Sequence, residues 1–419
     1  MLSVDDHLVN CLNGVTVLPA REVPLLEAPG GRLAEDVVSE IDMPRFDNSS
    51  MDGYAVRAAE LASAGEHSPV VLPVRGDVPA GHAEMVRLEP GTTIRIMTGA
   101  PVPAGADAVV PVEWTDGGTT QVRITRGPAE GAFVRRRSED VRAGQTVLRA
   151  GTRLSARHIA LLATVGRDRV RIQSRPFVLV MPSGNELVAP GKPLGPGQIH
   201  DSNGYGLIAA VRALGARAEH GGVIDDNPDA VTAALADAAG RADLVITTGG
   251  VSAGAYDTIK EVLGKLGTVG FEKVAMQPGM PQGFGVIGPD RTPIFTLPGN
   301  PVSALVSFEI FVRPALLRMA GETSLGPRLK FATATEGWSS PVGKRQFVRA
   351  WIEPLIRYQE PVDEELMTHG YVVRPVGGQG SHLVADLAEA NCLVIVPEKV
   401  AQVASGDQVV CLILDGETL

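Results

Sequence analysis

The chain has 419 residues, of which 44% are hydrophobic and only 4% aromatic, and its formal net charge is −10. That length predicts roughly two to four domains with ample material for a core, and the acidic balance, with Arg135 to Arg137 as the single short basic run, argues against a nucleic-acid surface. Cys11, Cys392 and Cys411 stand far apart in no ligand spacing, so neither a zinc site nor a disulfide framework is expected. The N-terminus lacks the layout of a signal peptide and no apolar run approaches the ~18 residues a membrane span needs, so the expected setting is the cytoplasm, with no direct membrane insertion.

Residues 1–42 read as a helical start through Val4, Leu8 and Leu12, followed by an irregular segment. From 43 to 137 short β-like runs at 70–74, 93–97, 108–112 and 121–125, separated by Gly and Pro turns, predict a small β-rich domain. Residues 138–170 are expected to return to helix, with LSARHIALLATVG as the clearest piece, making the outer region discontinuous in sequence. From 171 to 326 strands and helices alternate: strand 177–181, helix 203–214, strand 217–224, a helix from Pro228 to Ala239, strand 244–247, a helix after Asp257, strand 294–297 and helix 302–317. Such alternation predicts an α/β domain with a parallel sheet, whose post-strand turns gather at one ligand-binding edge. From 327 to 419 the helices fade, and strands 346–352, 392–396 and 408–414 predict a second β-rich domain, a small barrel or sandwich.

The 243–260 stretch, DLVITTGGVSAGAYDTIK, organises the chain. A β-branched strand stops at Gly249 and Gly250, turns through Ser252 and Gly254, and enters a helix near Asp257. Strand, glycine turn and helix start point free N–H groups at an anion, with the helix dipole behind them. Asp257 is the odd member, because a carboxylate repels phosphate unless a cation such as Mg²⁺ lies between them. A glycine turn that merely reverses the chain is the plainer alternative. The same edge collects Ser183, Gly184, Asn185 and Glu186, and Pro298, Gly299, Asn300 and Pro301. The 250–254 run also matches the G-x-S-x-G nucleophile elbow of hydrolases, but the histidines that follow, His369 and His382, fall in the last β domain, and His220-Gly221-Gly222 lies in the preceding strand. Turn acids such as Asp201, Asp225 and Asp226 read as caps facing solvent. Asp52 sits in a far more polar loop than a turn requires.

Taken together, DNSSMDGYAVR (47–57), RIMTGAPVPAGADAVVPVE (95–113), SGNEL (183–187), GQIHDSN (197–203), TTGGVSAGAYD (247–257) and LPGNPVSALVSFE (297–309) resemble, in order, the signatures of the molybdopterin molybdenumtransferases, the family that includes the E domain of gephyrin. RQFVRA (345–350) and GGQGSHL (377–383) extend the likeness into the last domain. The resemblance implies an elongated homodimer with a four-part subunit: a discontinuous helical linker (1–42 and 138–170), the inserted β-rich domain, the α/β domain and a C-terminal β-barrel. It implies that adenylylated molybdopterin, delivered by a molybdopterin adenylyltransferase, reacts with molybdate and Mg²⁺ to release AMP. Matched position by position, Asp257, Glu186 and Asp52 fall on acidic active-site positions, with Asp257 and Glu186 toward the metal. Thr98 and Asp140 fall on crevice positions contributed across the dimer, and Arg349 and Ser381 on the pair that binds molybdate. Two departures stand out. Gln277 occupies the position of a family lysine, with Lys273 four positions earlier as a possible compensation, and Ala255 replaces a common acid. Chains that share the QPGMPQG form resemble adaptors of the divisome that bind the C-terminal tail of the tubulin-like protein FtsZ at the septum, as gephyrin grips a receptor peptide. An adaptor with weakened catalysis is the alternative that the resemblance leaves open.

Overall fold

A computed structural model describes residues 1–81, 86–225, 227–250, 258–355 and 370–414. The chain divides into two compact units, one built from 1–21 with 173–419 and one from 22–172.

In the first unit, six strands form one sheet in the order Arg217–His220, Phe177–Pro182, Leu244–Thr248, Thr292–Leu297, Pro281–Ile287 and Val269–Lys273. The first four run parallel, and the last two close the edge antiparallel. Strand residues alternate between faces, and both faces are covered here. Val178 and Val180 join one buried cluster while Leu179 and Met181 join another. The second cluster receives the helices Pro228–Ala239 and Thr258–Leu266 through Val231, Leu235, Ile259 and Leu263. This double burial explains why these strands read as unbroken apolar runs. Pro228 opens its helix as the sequence predicts, and the Asn227 side chain caps it by accepting from the N–H groups of Asp229 and Ala230.

The expected helix 302–317 is present as an unbroken rod. The helices Pro301–Ser307 and Arg313–Met319 are joined by a π-helical turn, Phe308–Val312. Five of the strands between 329 and 413 close on themselves as a barrel. Its order is Arg345–Leu355, Gly370–Pro375, Leu329–Ala334, Gln408–Ile413 and Cys392–Val396, and the last strand pairs back to the first.

Two expectations change. The helix Val4–Asn13 buries Val4 and Cys11 in the cluster that also holds Phe295, Phe311, Phe347, Leu393 and Leu412, so it belongs with the sheet and barrel rather than with residues 22–42. Residues 138–170 contain one helix, Ala156–Thr164, flanked by strands Thr146–Leu148 and Arg169–Ile172. The apolar spacing of LSARHIALLATVG holds only over that helix, and Gly144, Gly151 and Gly166, all at positive φ, break the chain around it.

The second unit has a five-stranded sheet ordered Ala108–Pro111, Gly53–Val56, Thr93–Ile96, Val70–Val78 and Gln121–Ile124. These are the four β runs legible in the sequence plus the short central strand Gly53–Val56. A separate core joins Val23, Leu33 and Val37 to Leu148, Leu162 and Ile172, from either side of the sheet in sequence.

Candidate functional site

The parallel strands end at one edge of the sheet, and three of the turns that follow meet there. Ser183 donates its N–H to the carbonyl of Thr248 at 3.0 Å, and its hydroxyl reaches the same oxygen at 3.2 Å. Gly249 donates its N–H to Leu297 O at 3.1 Å. Gly249 adopts φ +88°, and a Cβ there would lie 3.0 Å from Ser183 Oγ and 3.1 Å from Ser183 O. A Cβ on Gly299 would come within 3.5 Å of Gly249 Cα. The 183, 249 and 299 turns therefore approach one another closely, and Gly249 is the position where a side chain would be strained.

Around them lies a cleft of about 650 Å³, lined by Ser183, Glu186, Asp201, Asn203, Gly249, Gly250, Pro298, Gly299, Asn300, Pro301 and His382, among others. Its size suits a cofactor-sized ligand. Asn203 donates through Nδ2 to Gly299 O at 2.7 Å, and Asn300 through Nδ2 to Ser381 Oγ at 2.9 Å. The Asn203 amide fixes the PGNP turn from outside, and Asn300, within the turn, ties it to the 378–383 loop.

Of the family-matched residues in this unit, Ser183, Glu186, Gly249, Gly250, Pro298, Gly299, Asn300 and Pro301 line the cleft. Gly184 is buried with φ +136°, and Asn185 is exposed beside it. Lys273 is exposed at the end of strand Val269–Lys273 and pairs in register with Pro281, another cleft residue. Ser252, Gly254, Ala255 and Asp257 lie outside the described residues.

Arg349 departs from a simple anion-binding role. It is 1% exposed, and its guanidinium donates to three carbonyls of one loop: Gly380 at 3.0 Å, Leu383 at 3.2 Å, and Gly378. Burial lowers its pKa from the usual arginine value, with Asp386 acting weakly in the opposite sense. The clamp holds the 378–383 loop so that Ser381 O accepts from Val302 N at 3.1 Å, on the first turn of the helix after PGNP. Ser381 and His382 are thereby brought to the cleft. His382, which the sequence places in a separate β domain, is a cleft residue, because this loop leaves the barrel and seats on the α/β domain.

Gln277 is half-buried in the short strand Met276–Gln277, which pairs parallel with Arg345 and Gln346. Nearby Gln282 is 1% exposed and donates through Nε2 to Gly279 O and Ser307 Oγ, both at 2.6 Å. The QPGMPQG run is thus a packed loop with its own internal bonding.

Asp201 combines two roles. It caps a helix as expected, with Oδ1 accepting from Gly204 N at 2.8 Å. It is also 1% exposed at the cleft wall, with Oδ2 2.9 Å from His220 Nε2. His220 Nδ1 accepts from Gly222 N at 3.0 Å, so Nε2 carries the proton and donates to Asp201. Nothing in the local spacing shows this pair, which is 19 residues apart in sequence.

In the 22–172 unit, Asp52 and Thr98 are partners. Asp52 Oδ1 accepts from Thr98 N at 2.7 Å and from Thr98 Oγ1 at 2.8 Å. These two hydrogen bonds, the backbone one first, hold the Asp52 carboxyl below the usual carboxylate range. Asp140 is exposed on a turn and donates its N–H to Met43 O at 3.0 Å.

Among the described residues no group of three or more His, Cys, Asp or Glu side chains could hold a metal on its own. Mg²⁺ does not demand one, since it is commonly held by one or two carboxylates together with substrate phosphates and water. The exposed Glu186 carboxylate in the cleft fits that donor set.

Comparison with known proteins agrees with this geometry. Residues 2–166 match the MoeA N-terminal region (domain I and II), 179–318 the probable molybdopterin binding domain, and 332–414 the MoeA C-terminal region (domain IV). The chain is 46% identical over 414 residues to molybdopterin molybdenumtransferase 2 of Mycobacterium tuberculosis, covering 97% of this chain and 98% of that protein. It is 36% identical over 389 residues to the molybdopterin molybdenumtransferase of Haemophilus influenzae, covering 92% and 91%. The crystal structure of the molybdopterin biosynthesis moea protein from Pyrococcus horikosii superposes with a TM-score of 0.83 at 32% identity, covering 100% of both chains. Among the described residues no helix is long and apolar enough to cross a membrane.

Proposed function

The chain belongs to the MoeA family, and on that premise we propose that it is a molybdopterin molybdenumtransferase, which inserts molybdenum from molybdate into adenylylated molybdopterin and releases AMP. The observation that carries this reading is the contact of the 183, 249 and 299 turns around one cleft. Their main-chain groups would hold the phosphates of the substrate, with Asn203 and Asn300 keeping the last turn in place. Mg²⁺, when bound, supplies positive charge that lets carboxylate and phosphate share the cleft. Glu186 would hold it, joined by Asp257 on the strength of the sequence match alone. Asp52, whose carboxylate accepts two hydrogen bonds from Thr98, would take part on the strength of the sequence match alone. Arg349 would act by holding Ser381 and His382 at the cleft where molybdate enters.

The test is AMP release by the purified protein from adenylylated molybdopterin, molybdate and Mg²⁺. Glu186→Gln should abolish most of it, and no release from a competent substrate preparation would overturn the reading.

A second reading rests on Gln277, a neutral amide that brings no charge to an oxyanion. It makes the protein a dimeric adaptor, with weakened catalysis, for a short peptide such as the FtsZ tail. Bivalent capture of many tails on one polymer would multiply a weak affinity. Calorimetry with the tail peptide decides it, since a flat trace at high peptide concentration removes this reading. Gln277→Lys would separate the two, because a large gain in AMP release marks a detuned enzyme.

A further inference from the structure

The opposite edge of the same sheet, where the parallel strands begin, carries a second and larger pocket of about 800 Å³. It lies between the chain segments on either side of the 22–172 unit in sequence, and is lined by Leu18 to Arg21, Ser174, Arg175 and the start of the strands at Phe177 and Arg217. Its charge is the reverse of the whole molecule's. Four arginines, Arg21, Arg175, Arg212 and Arg217, face one acid, Asp243, in a chain whose net charge is −10.

Two of the guanidiniums are already positioned. Arg212 donates through Nε and Nη2 to Ala218 O at 3.2 and 2.8 Å, which leaves Nη1 outside that pair of bonds. Arg217 stacks on the Phe177 ring with its Cζ 4.9 Å from the centroid, leaving its edge for in-plane donation. The Asp243 carboxylate is engaged on the other side, accepting from Phe177 N at 2.8 Å through Oδ2. The helix Asn203–Ala213 also ends here, and its C-terminus contributes about half a negative charge. Set against Arg21, Arg212 and Arg217 alone, the one carboxylate and the helix end still leave the pocket positive.

We propose that this pocket is a second anion-binding site, separate from the cleft, that takes a small molecule bearing a pyrophosphate group. Planar forks arrayed around a cavity match the several oxygens of a diphosphate better than a single monovalent ion. Phe177 is covered by Arg217, so recognition rests on the phosphates, and free pyrophosphate and a nucleoside diphosphate are both sources of that group.

The test is calorimetric titration of the full chain with pyrophosphate, ADP and sulfate, at low and at raised salt. The expected result is saturable pyrophosphate binding, weakened by salt and at least tenfold tighter than sulfate. Arg212→Gln with Arg217→Gln should weaken it at least tenfold while AMP release is unchanged. If that double variant fails to fold by circular dichroism, Arg21→Glu, an exposed position, replaces it with the same expected direction. ADP binding no tighter than pyrophosphate identifies the free anion as the occupant, and tighter binding identifies the nucleotide. Affinity unchanged by these substitutions, or lost instead with Glu186→Gln in the cleft, overturns the proposal, as does sulfate binding as tightly as pyrophosphate.

Discussion

The two edges of the central sheet solve different problems with different chemistry. At the edge where the strands end, the cleft is built from main chain: Gly249 and Gly299 closely approached, Ser183 folded against Thr248, and neutral amides from Asn203 and Asn300 holding the last turn. At the edge where they begin, four arginines surround a cavity. Backbone donors fixed by strand ends need little charge and are insensitive to pH and salt, whereas a guanidinium cluster is screened as ionic strength rises. If both proposed sites are occupied, the strand ends would supply precision and the strand starts attraction.

The sharpest break in that contrast is a side chain at Gly249. Gly249→Val forces a branched residue to φ +88° against Ser183, and such strain costs about 1–3 kcal/mol before any effect on the cleft. Turnover should fall by more than roughly 100-fold, because a misplacement of about 1 Å suffices for that, and melting with AMP-release assays will show both losses.

A comparable effect on stability should come from a buried group in the same unit. His7 is 2% exposed against Phe311, and burial lowers its pKa to about 4 from the ordinary 6.5. The unfolded chain then binds a proton that the folded one refuses, so stability is complete above about pH 6.5 and declines as the pH falls toward 4. The span is of the order of 3 kcal/mol. His7→Phe should flatten that slope in denaturant titrations across this range.

Asn300→Ala removes the bond to Ser381 and should cost about 1 kcal/mol, with a matching several-fold loss of AMP release. The smallest effect belongs to an exposed ion pair. Arg345 grips Asp5 with two bonds of 2.7 and 2.8 Å and also reaches Glu398. The hydrogen bond from Arg345 holds the Asp5 carboxyl below its ordinary 3.8. A depressed carboxyl stabilises the fold above the unfolded value and loses that contribution as pH falls through the folded one. The melting-temperature gap between wild type and Asp5→Asn should therefore be small near neutrality and close in acid below about pH 3.8.

Much of this was legible from residues alone. The strand Leu244–Thr248 and the Pro228–Ala239 helix follow from β-branched runs and an N-cap, which are local signals. The convergence of three turns followed from the topology of alternating strands and helices. What escaped was long-range. Asp201 looked like a cap because its cap is local, but its partner His220 is reached only through the fold. His382 looked remote because nothing in the 377–383 sequence reveals that Arg349, on a barrel strand, pins that loop toward the cleft. The helix expected across 138–170 is confined to Ala156–Thr164 because Gly151 and Gly166, at positive φ, bound the periodic stretch on either side.

The membership of Val4 and Cys11 in a core shared with Phe347, Leu393 and Leu412 sets an order of assembly on the ribosome. The helix Val4–Asn13 must wait for Phe347, Leu393 and Leu412 before its apolar side is covered. Residues 22–172, contiguous in sequence, form one compact unit whose elements can pair as soon as they leave the tunnel. The inserted unit is thus positioned to mature before the unit whose segments flank it in sequence.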